Sequence, residues 1–425
     1  MDYDILIIGA GLAGLHCALR LSKPGLNIAI AEAYTYVGGR VVSYNPPDFP
    51  NVRWENGAGR IHSSHTMVKD YIQDYGLTLM KIPEEQNWRP TGGTSTPNPW
   101  PSLAITLYHL LSSLKPTVLA RYTVADLANM MYGGTRTEKL LAHFPYRAEV
   151  FRMRADLALN SLSQEMKSNE DFYVVKEGLS ALIQAMRTDL EAKGVEFLLG
   201  HRATAILKGS TQTLKAAFSV KEDTRHTHVE LSAKKIILAV HSTALKGISP
   251  FSNLPTLKHL KMEPLLRTYG IFPAPNGKPW FHAMPTTVTN SPLRYIIPIQ
   301  PKQGTIMTSY TDAQDTRPYI KLLEKPKGSK LLEKRIMKET RDLFPEIDIP
   351  NPLFFKAHPW YEGCTYWLPG LYDPLEQSKM IMNPMPHRFQ HVYVCGESYS
   401  LRQAWMEGAL EHAESMLRKY FPSEI

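Results

Sequence analysis

The sequence has few cysteines and no long hydrophobic run. Cys17, Cys364 and Cys395 are the three cysteines in 425 residues, too few and too scattered for a disulfide framework or a zinc site. This usage is consistent with a reducing compartment. No apolar stretch reaches the roughly 18 residues of a membrane span, and the start MDYDILIIGAG lacks the pattern of a signal peptide. We therefore expect a cytoplasmic protein with no membrane span.

The sequence also lacks a clustered excess of charge of one sign. The 48 basic and 40 acidic residues leave a net charge of +8 that is spread along the chain. The densest basic stretch, 321–335, also carries Glu324 and Glu333. A nucleic-acid surface needs a clustered basic stripe with interleaved aromatic residues, so we interpret this stretch as a solvated helix face and expect no nucleic-acid partner.

The chain begins with the pattern of a βαβ unit. An apolar strand is predicted over 4–8, a helix over 12–22 and a second strand over 27–32. From about 77 to 170, proline-rich segments alternate with helical patterns, which indicates an inserted and mainly helical region. The α/β pattern then returns. Its predicted elements are a helix over 178–193, strands over 196–199 and 235–240, a helix over 329–342, a strand over 391–395 and a helix over 403–420.

The motif GxGxxG follows the first strand directly and opens the first helix. Gly9 permits the tight turn, Gly11 lets a pyrophosphate approach the backbone, and Gly14 lets the helix pack closely on the strand. The helix N-terminus offers N–H groups to the phosphates. Glu32 ends the second strand, about 20 residues further on, where a carboxylate that binds ribose hydroxyls is expected. These features together predict a dinucleotide-binding site.

A second glycine-rich block indicates which kind of dinucleotide the site binds. Gly39 and Arg40 belong to the run VGGR, in which the glycines let the backbone pass close to a bulky ligand and the arginine can neutralise phosphate charge. The order GxGxxG, Glu, GGR resembles the flavin-containing amine oxidase family, which includes monoamine, polyamine and L-amino-acid oxidases. The next block, WENGAGRIH, resembles that family's turn near the flavin and contains Gly57, Ala58 and Arg60.

Two further blocks carry the resemblance to the middle and the end of the chain. In the middle block, Ala203 takes the place of a backbone contact to adenine. In the closing block VYVCGESYSLRQAWMEGALEHAESM, the resemblance places Gly396 and Glu397 at the pyrophosphate and ribityl groups. It places Trp405 beside the isoalloxazine, and it directs the N-terminus of a helix that begins near Met406 at the flavin O2 end.

The resemblance implies an α/β fold in which a Rossmann-type FAD-binding domain is interleaved with an α+β substrate domain, as in the amine oxidases. FAD is the implied cofactor. The implied FAD-binding domain comprises 1–76, 171–261 and 376–425, and the substrate domain comprises 77–170 and 262–375. The segment 77–170 shows no clear match, although substrate selectivity is expected there.

The family oxidises C–N bonds by moving a hydride equivalent from carbon to flavin, which oxygen reoxidises with release of hydrogen peroxide. The implied partners are therefore a small amine and oxygen, and the sequence does not indicate an oligomeric state. Two aromatic side chains often flank the amine, and Trp405 is one candidate. The other should come from HPWYEGCTYWLPG, where the family tyrosine is shifted by one position to Tyr366; Trp360, Tyr361 and Trp367 remain alternatives.

Two departures from the family pattern affect the predicted chemistry. The family places a lysine near flavin N5, but the corresponding stretch offers Arg267, which stays charged and cannot act as a tunable base. Lys261 is the alternative assignment, and a structural ion pair is the alternative role for Arg267. His62, His241 and His391 lie near the matched motifs, and we interpret them as structural residues.

Cys364, the missing cage tyrosine and Arg267 each leave a hypothesis open. Cys364 follows a glycine in the setting where monoamine oxidases bond a cysteine to the flavin, but a small buried residue is the alternative that we prefer. The missing cage tyrosine allows a related flavoenzyme that dehydrogenates C–C bonds. Arg267 in place of lysine allows an FAD-bound scaffold without catalysis. An oxidase of amines is the reading that the motifs favour.

Overall fold

Two seven-stranded sheets organise the protein. The computed structural model describes residues 2–165, 171–209, 212–222 and 225–425. The first sheet contains, in spatial order, Glu196–Leu199, Ile28–Glu32, Asp2–Ile8, Arg225–Leu238, Leu214–Glu222 and His201–Lys208, with Val392–Val394 paired to Arg225–Leu238. The pairs among its parallel strands follow the doubly wound pattern. Their carboxyl ends therefore meet at one edge of the sheet.

The predicted βαβ unit is confirmed within two residues at each boundary. Asp2–Ile8 is apolar through its centre, and its leucine and isoleucine side chains are almost completely buried, as expected for a parallel strand covered on both faces. The helix Leu12–Leu21 begins directly after Gly11. The strand Ile28–Glu32 is buried along its whole length, so its last residue reaches the edge at which the parallel strands end.

The second sheet is almost entirely antiparallel. Its strands, in spatial order, are Phe354–Trp367, Leu260–Ile271, Thr305–Asp312, Tyr295–Gln300, Thr286–Thr289, Gln86–Arg89 and Thr96–Pro97. The last two precede the helices of the region 77–170, which is mainly helical as expected, and Gln86–Arg89 pairs in parallel with Thr286–Thr289. Smaller sheets join Ser43–Tyr44 to Trp54–Glu55 and Phe172–Val175 to Ile61–His62 and Leu79–Lys81.

Six helices follow these edge strands and form a cluster against the second sheet. They are Trp100–Ser112, Pro116–Arg121, Val124–Tyr132, Gly134–Ala142, Arg147–Phe151 and Ala155–Glu165. Their apolar faces pack together and against Tyr366 and Ala313. The remaining helices are Thr66–Asp74, Leu179–Ala192, Ser242–Lys246, Arg317–Leu323, Gly328–Leu343, Pro374–Ile381 and Met406–Tyr420. Within the described ranges, no helix has the length and apolarity needed to cross a bilayer.

The last helix begins later than residue 403, which corrects its predicted boundary. Ala404 has a left-handed backbone with φ of 65°, and its N–H group donates to Glu397 at 2.7 Å. Trp405 is extended and caps the helix, which starts at Met406. A tertiary contact with Glu397 therefore holds the turn that precedes the helix. The helical periodicity of the sequence could not indicate this contact.

Candidate active site

A cavity of about 740 Å³ lies where the parallel strands of the first sheet end and reaches the second sheet. It collects almost all residues that the sequence predicted for the site. Those that line it are Gly9, Gly11, Glu32, Gly39, Arg40, Gly57, Ala58, Arg60, Ala203, Arg267, Tyr366, Gly396, Glu397, Trp405 and Met406. Gly14 is the predicted residue that does not line it.

The three glycines of the first turn differ in what surrounds them. Gly9 has φ of 107°, and a Cβ there would lie 2.5 Å from the carbonyl oxygen of Ala239. A Cβ on Gly14 would overlap the carbonyl oxygen of Gly9, whereas a Cβ on Gly11 would meet nothing within 4 Å. Gly14 thus serves helix packing, and Gly11 leaves the open surface that a pyrophosphate needs.

Glu32 lies beside this turn and is 6% exposed. Its carboxylate accepts the N–H groups of Ala10 at 2.7 Å and Tyr34 at 2.8 Å. Burial raises the pKa of this carboxyl group, although the backbone donors oppose the shift. The strand Ile28–Glu32 thus delivers a fixed, buried acceptor to the cavity wall.

Arg40 joins segments that are far apart in the sequence. Its guanidinium lies 2.9 Å from the carboxylate of Glu397 and donates to the carbonyl oxygen of Gly363 at 2.9 Å. Its own carbonyl accepts the N–H group of Ala58, and a Cβ on Gly57 would overlap that carbonyl. The two glycine-rich blocks and the closing block therefore form one wall of the cavity.

Five side chains, each in contact with the next, form what we call the aromatic chamber. The guanidinium of Arg60 lies 5.4 Å from the ring of Trp405 and 4.8 Å from the ring of Tyr146. Tyr146 meets Tyr310 edge to face at 5.4 Å, and the guanidinium of Arg267 lies 5.1 Å from the ring of Tyr310. All five line the cavity, so this chamber is its aromatic and cationic part.

Two buried carboxylates line the cavity together with the chamber. Asp312, the last residue of its strand, is 4% exposed, and Glu149 is 6% exposed. Burial, with nearby Asp315, raises the pKa of Asp312 to about 7 against the opposing N–H donors. Burial raises the pKa of Tyr366 well above its usual value, with Cys364, Asp312 and Glu149 as further causes. The carboxylates are thus close to the predicted cage residue.

Sequence reasoning missed Tyr146, Glu149, Tyr310 and Asp312. Tyr310 and Asp312 stand two positions apart on one strand and therefore share a face, which is the signal that could have found them. Tyr146 and Glu149 lie in the segment without a clear family match. No spacing within their own helix links them to the second sheet.

Arg267 lies in the cavity wall and also donates to the backbone carbonyl of Glu55 at 3.2 Å. Lys261, the alternative assignment, has a side chain that is 46% exposed and pairs with Glu263 at 3.2 Å. It does not line the cavity. Of Arg267 and Lys261, Arg267 is therefore the residue that faces the site.

The other aromatic candidates have different positions. Trp360 and Tyr361 line the cavity, and the indole of Trp360 donates to the carbonyl oxygen of Asn56 at 2.8 Å. Trp367 is fully buried and donates to the carbonyl of Ser400, so it belongs to the core. Tyr366 keeps access to the cavity.

The three histidines near the matched motifs lie in different environments. His241 lines the cavity and caps a short helix through Ala244, and burial lowers its pKa to about 3. His62 lies in a neighbouring smaller cavity, and His391 is exposed. Among the described residues, no group of three or more His, Cys, Asp or Glu side chains is arranged to hold a metal ion.

The cavity fits a dinucleotide joined to a larger ring system. Its dinucleotide end has the open Gly11 surface and the buried acceptor Glu32. Its other end has aromatic walls and fixed cations. Gly39 approaches Gly11 so closely that a Cβ would lie 3.3 Å from the Cα of Gly11, which keeps both backbones free of side chains where a bulky ligand would pass.

Comparison with known proteins agrees with this geometry. The family model described as flavin containing amine oxidoreductase matches residues 12–415. The chain therefore belongs to the family of flavin-containing amine oxidoreductases. Membership confirms the predicted family, the fold class, the FAD cofactor and the general enzyme class.

Individual relatives support the same family. An L-amino acid oxidase of Crotalus durissus cumanensis is 37% identical over 82 residues, which are 19% of this chain and 16% of the relative. An L-amino-acid oxidase of Naja atra is 35% identical over 81 residues, again 19% and 16%. The matched segment thus spans a small part of these curated relatives, so it does not by itself establish their activity here.

Solved structures show the fold over the whole chain. A redesigned putrescine oxidase superposes with a TM-score of 0.76 and 14% identity, covering 100% of this chain and 99% of that chain. Wild-type putrescine oxidase bound to putrescine gives a TM-score of 0.74 at 14% identity, covering 99% of each chain.

The glycine turn predicts different effects for two similar substitutions. Gly11→Ala should leave the unfolding temperature of the FAD-free protein unchanged but reduce bound FAD, because the new methyl group enters the open surface of the cavity. Gly14→Ala should lower the free energy of unfolding by about 1–3 kcal/mol, because its methyl group overlaps Gly9. Thermal unfolding and the flavin-to-protein absorbance ratio measure both. A Gly11→Ala protein with full flavin content would contradict the assignment.

Cys364 lines the cavity, and burial raises the pKa of its thiol to about 12, with Glu397 as a further cause. Because the thiolate is the reactive form, we expect FAD to be bound without a covalent tether. Acid precipitation of the purified protein should leave FAD in the supernatant. A yellow pellet that becomes colourless in Cys364→Ala would instead show a thioether.

Proposed function

We propose that this protein oxidises a C–N bond of a small amine, with oxygen as the acceptor and an imine and hydrogen peroxide as products. The observation that carries the proposal is the pair of buried carboxylates, Glu149 and Asp312, in a cavity with aromatic walls. A protonated amine is attracted both to carboxylates and to aromatic faces. A substrate for C–C dehydrogenation has no need of buried negative charge.

The bound flavin would supply the acceptor for the hydride equivalent. The residues of this chain bind, orient and exclude water. Glu32, Arg40 and Glu397 would hold the dinucleotide, and Trp405 with Tyr366 would wall the amine. Arg267 would contribute a fixed positive charge, and it would not act as an acid or base near neutral pH.

Similarity to named enzymes supports the amine class. The matched relatives are L-amino acid oxidases, and one structural neighbour is putrescine oxidase bound to putrescine. Cationic side chains line the cavity as well as carboxylates. L-Amino acids and diamines such as putrescine therefore both enter the substrate panel below. The predicted FAD-binding segments 1–76, 171–261 and 376–425 and substrate-binding segments 77–170 and 262–375 remain part of this proposal, and the cytoplasmic location remains a prediction.

A panel of amines with a peroxide readout tests the function. We expect at least one diamine, monoamine or L-amino acid to bleach the flavin without oxygen and to yield peroxide in air. Bleaching by dithionite and reoxidation in air without any response to amines would favour a C–C dehydrogenase. A flavin that stays oxidised with every substrate and is not reoxidised after dithionite reduction would favour a scaffold.

Asp312 predicts a pH dependence of amine binding. Its carboxyl group, with a pKa of about 7, is charged above pH 7 and neutral below it, whereas aliphatic amines stay protonated throughout this range. KM for the amine should therefore rise as the pH falls through 7. Asp312→Asn should raise KM about tenfold at pH 8, as expected for a lost charged hydrogen bond, and should flatten the profile. A variant with the wild-type profile would remove Asp312 from substrate binding.

A further inference from the structure

A second and smaller cavity lies behind Trp405. It has a volume of about 170 Å³, and its polar lining distinguishes it from the aromatic chamber. The residues that line it are His62, Ser64, His65, Met153, Leu157, Asn160, Ser161, Leu401, Arg402, Gln403, Trp405 and Glu411. Trp405 lines both cavities, so the two adjoin at this residue.

One hydrogen bond joins the two cavities around Trp405. The hydroxyl of Ser161, in the smaller cavity, donates to Oε1 of Glu149 at 2.7 Å. Glu149 lines the main cavity. The two residues come from neighbouring helices, Arg147–Phe151 and Ala155–Glu165. A polar connection therefore leads from the amine chamber to the small cavity.

The small cavity reaches the surface. Leu401 is 38% exposed, and the side chains of Arg402 and Glu411, which pair at 3.3 Å, are 25% and 40% exposed. Its volume is sufficient for several water molecules, and its polar lining offers them partners. A proton that reaches Ser161 thus has an aqueous outlet.

The proposed reaction creates a need for such an outlet. An amine arrives as an ammonium ion, but its carbon can release a hydride equivalent only after the nitrogen has lost a proton. Burial in the chamber favours that loss, because a low dielectric disfavours the charged form. Asp312 can attract the ammonium, but its two oxygens are held by the N–H groups of Arg147 and Ala148.

We propose that Glu149 and Ser161 carry the proton of the bound ammonium from the main cavity into the small cavity. The proposal rests on the proposed function. An N–H bond of the ammonium breaks and an O–H bond forms on the Glu149 carboxylate. The hydroxyl of Ser161 then accepts this proton while its own proton passes to water in the small cavity, and no electrons are transferred. Glu149 is the proton acceptor, and Ser161 acts through it.

Other ionisable groups face the two ends of this path. Those of the main cavity near the chamber are Arg60, Tyr146, Arg267, Tyr310, Asp312, Cys364 and Tyr366, and those of the small cavity are His62, His65, Arg402 and Glu411. His65 accepts the N–H group of His62, and burial, with Arg402 as a further cause, lowers its pKa to about 3. His65 therefore stays neutral over the working range and does not compete for the proton.

The test measures proton release without oxidation. tert-Butylamine has no hydrogen on the carbon that bears nitrogen, so it can bind but cannot be oxidised. Rapid mixing with the FAD-loaded enzyme and a pH-indicator dye reports the rate of proton release, and the flavin absorbance reports binding. We expect Ser161→Ala to slow proton release at least fivefold with unchanged binding, and Ser161→Thr to restore the rate.

Ser163→Ala is the matched control, because Ser163 lies on the same helix and donates to the nearby carbonyl of Asn160. It should behave as the wild type. Equal rates of proton release in wild type and Ser161→Ala would overturn the proposal while leaving amine oxidation intact. Oxidation of no amine in the panel would instead refute the proposed function. Glu149→Gln, which keeps an acceptor for Ser161 but cannot carry the proton, should abolish the fast release; release at the wild-type rate would also overturn the proposal.

Discussion

The ion pair between Arg40 and Glu397 is the contact on which the cavity depends. It connects the second glycine-rich block with the closing block, and the same guanidinium holds the carbonyl of Gly363. Glu397 is almost fully buried, and an unpaired buried carboxylate costs about 3–5 kcal/mol. Glu397 also accepts the N–H group of Ala404, so the same residue sets the turn that presents Trp405. Three distant segments therefore keep one relative position.

The substrate side of the cavity depends on a different contact. Asp312 ends a strand of the second sheet and accepts the first N–H groups of the helix Arg147–Phe151. That helix carries Glu149. The carboxylate that we assign to amine binding therefore also positions the carboxylate that we assign to proton transfer. Because both carboxylates line one cavity, a substitution of Asp312 is expected to change the position of Glu149 as well as the binding of the amine.

Arg267 differs from the lysine of the family pattern in geometry and in the range over which it can lose a proton. Its guanidinium lies over the ring of Tyr310 and donates to the carbonyl of Glu55. A planar guanidinium makes both contacts at once, whereas an ammonium group would satisfy fewer directions. The arginine therefore provides a permanent positive charge, as Arg40 and Arg60 do elsewhere in the same wall. Because it cannot act as a base, we assign proton transfer to a carboxylate, and Glu149 and Asp312 line the same cavity.

The amino-acid sequence was sufficient to predict the dinucleotide end of the site. The motif with Gly9, Gly11 and Gly14 and the acceptor Glu32 lie within one βαβ unit, where local geometry dictates their positions. The family resemblance added the closing block with Trp405 and the flavin cofactor. Boundaries shifted where a tertiary contact intervened, as at Ala404, whose left-handed backbone is held by Glu397.

The tertiary structure decided the parts of the substrate end that sequence reasoning missed. The N–H group of Arg147 and its acceptor Asp312 are separated by 165 residues, and no periodicity within either segment links them. The same holds for the edge strand Gln86–Arg89, which pairs with the distant strand Thr286–Thr289, and for Ser161, which gains a role only through its bond to Glu149. Local patterns record which face of an element is buried, but the partner across that face is chosen by packing between distant segments.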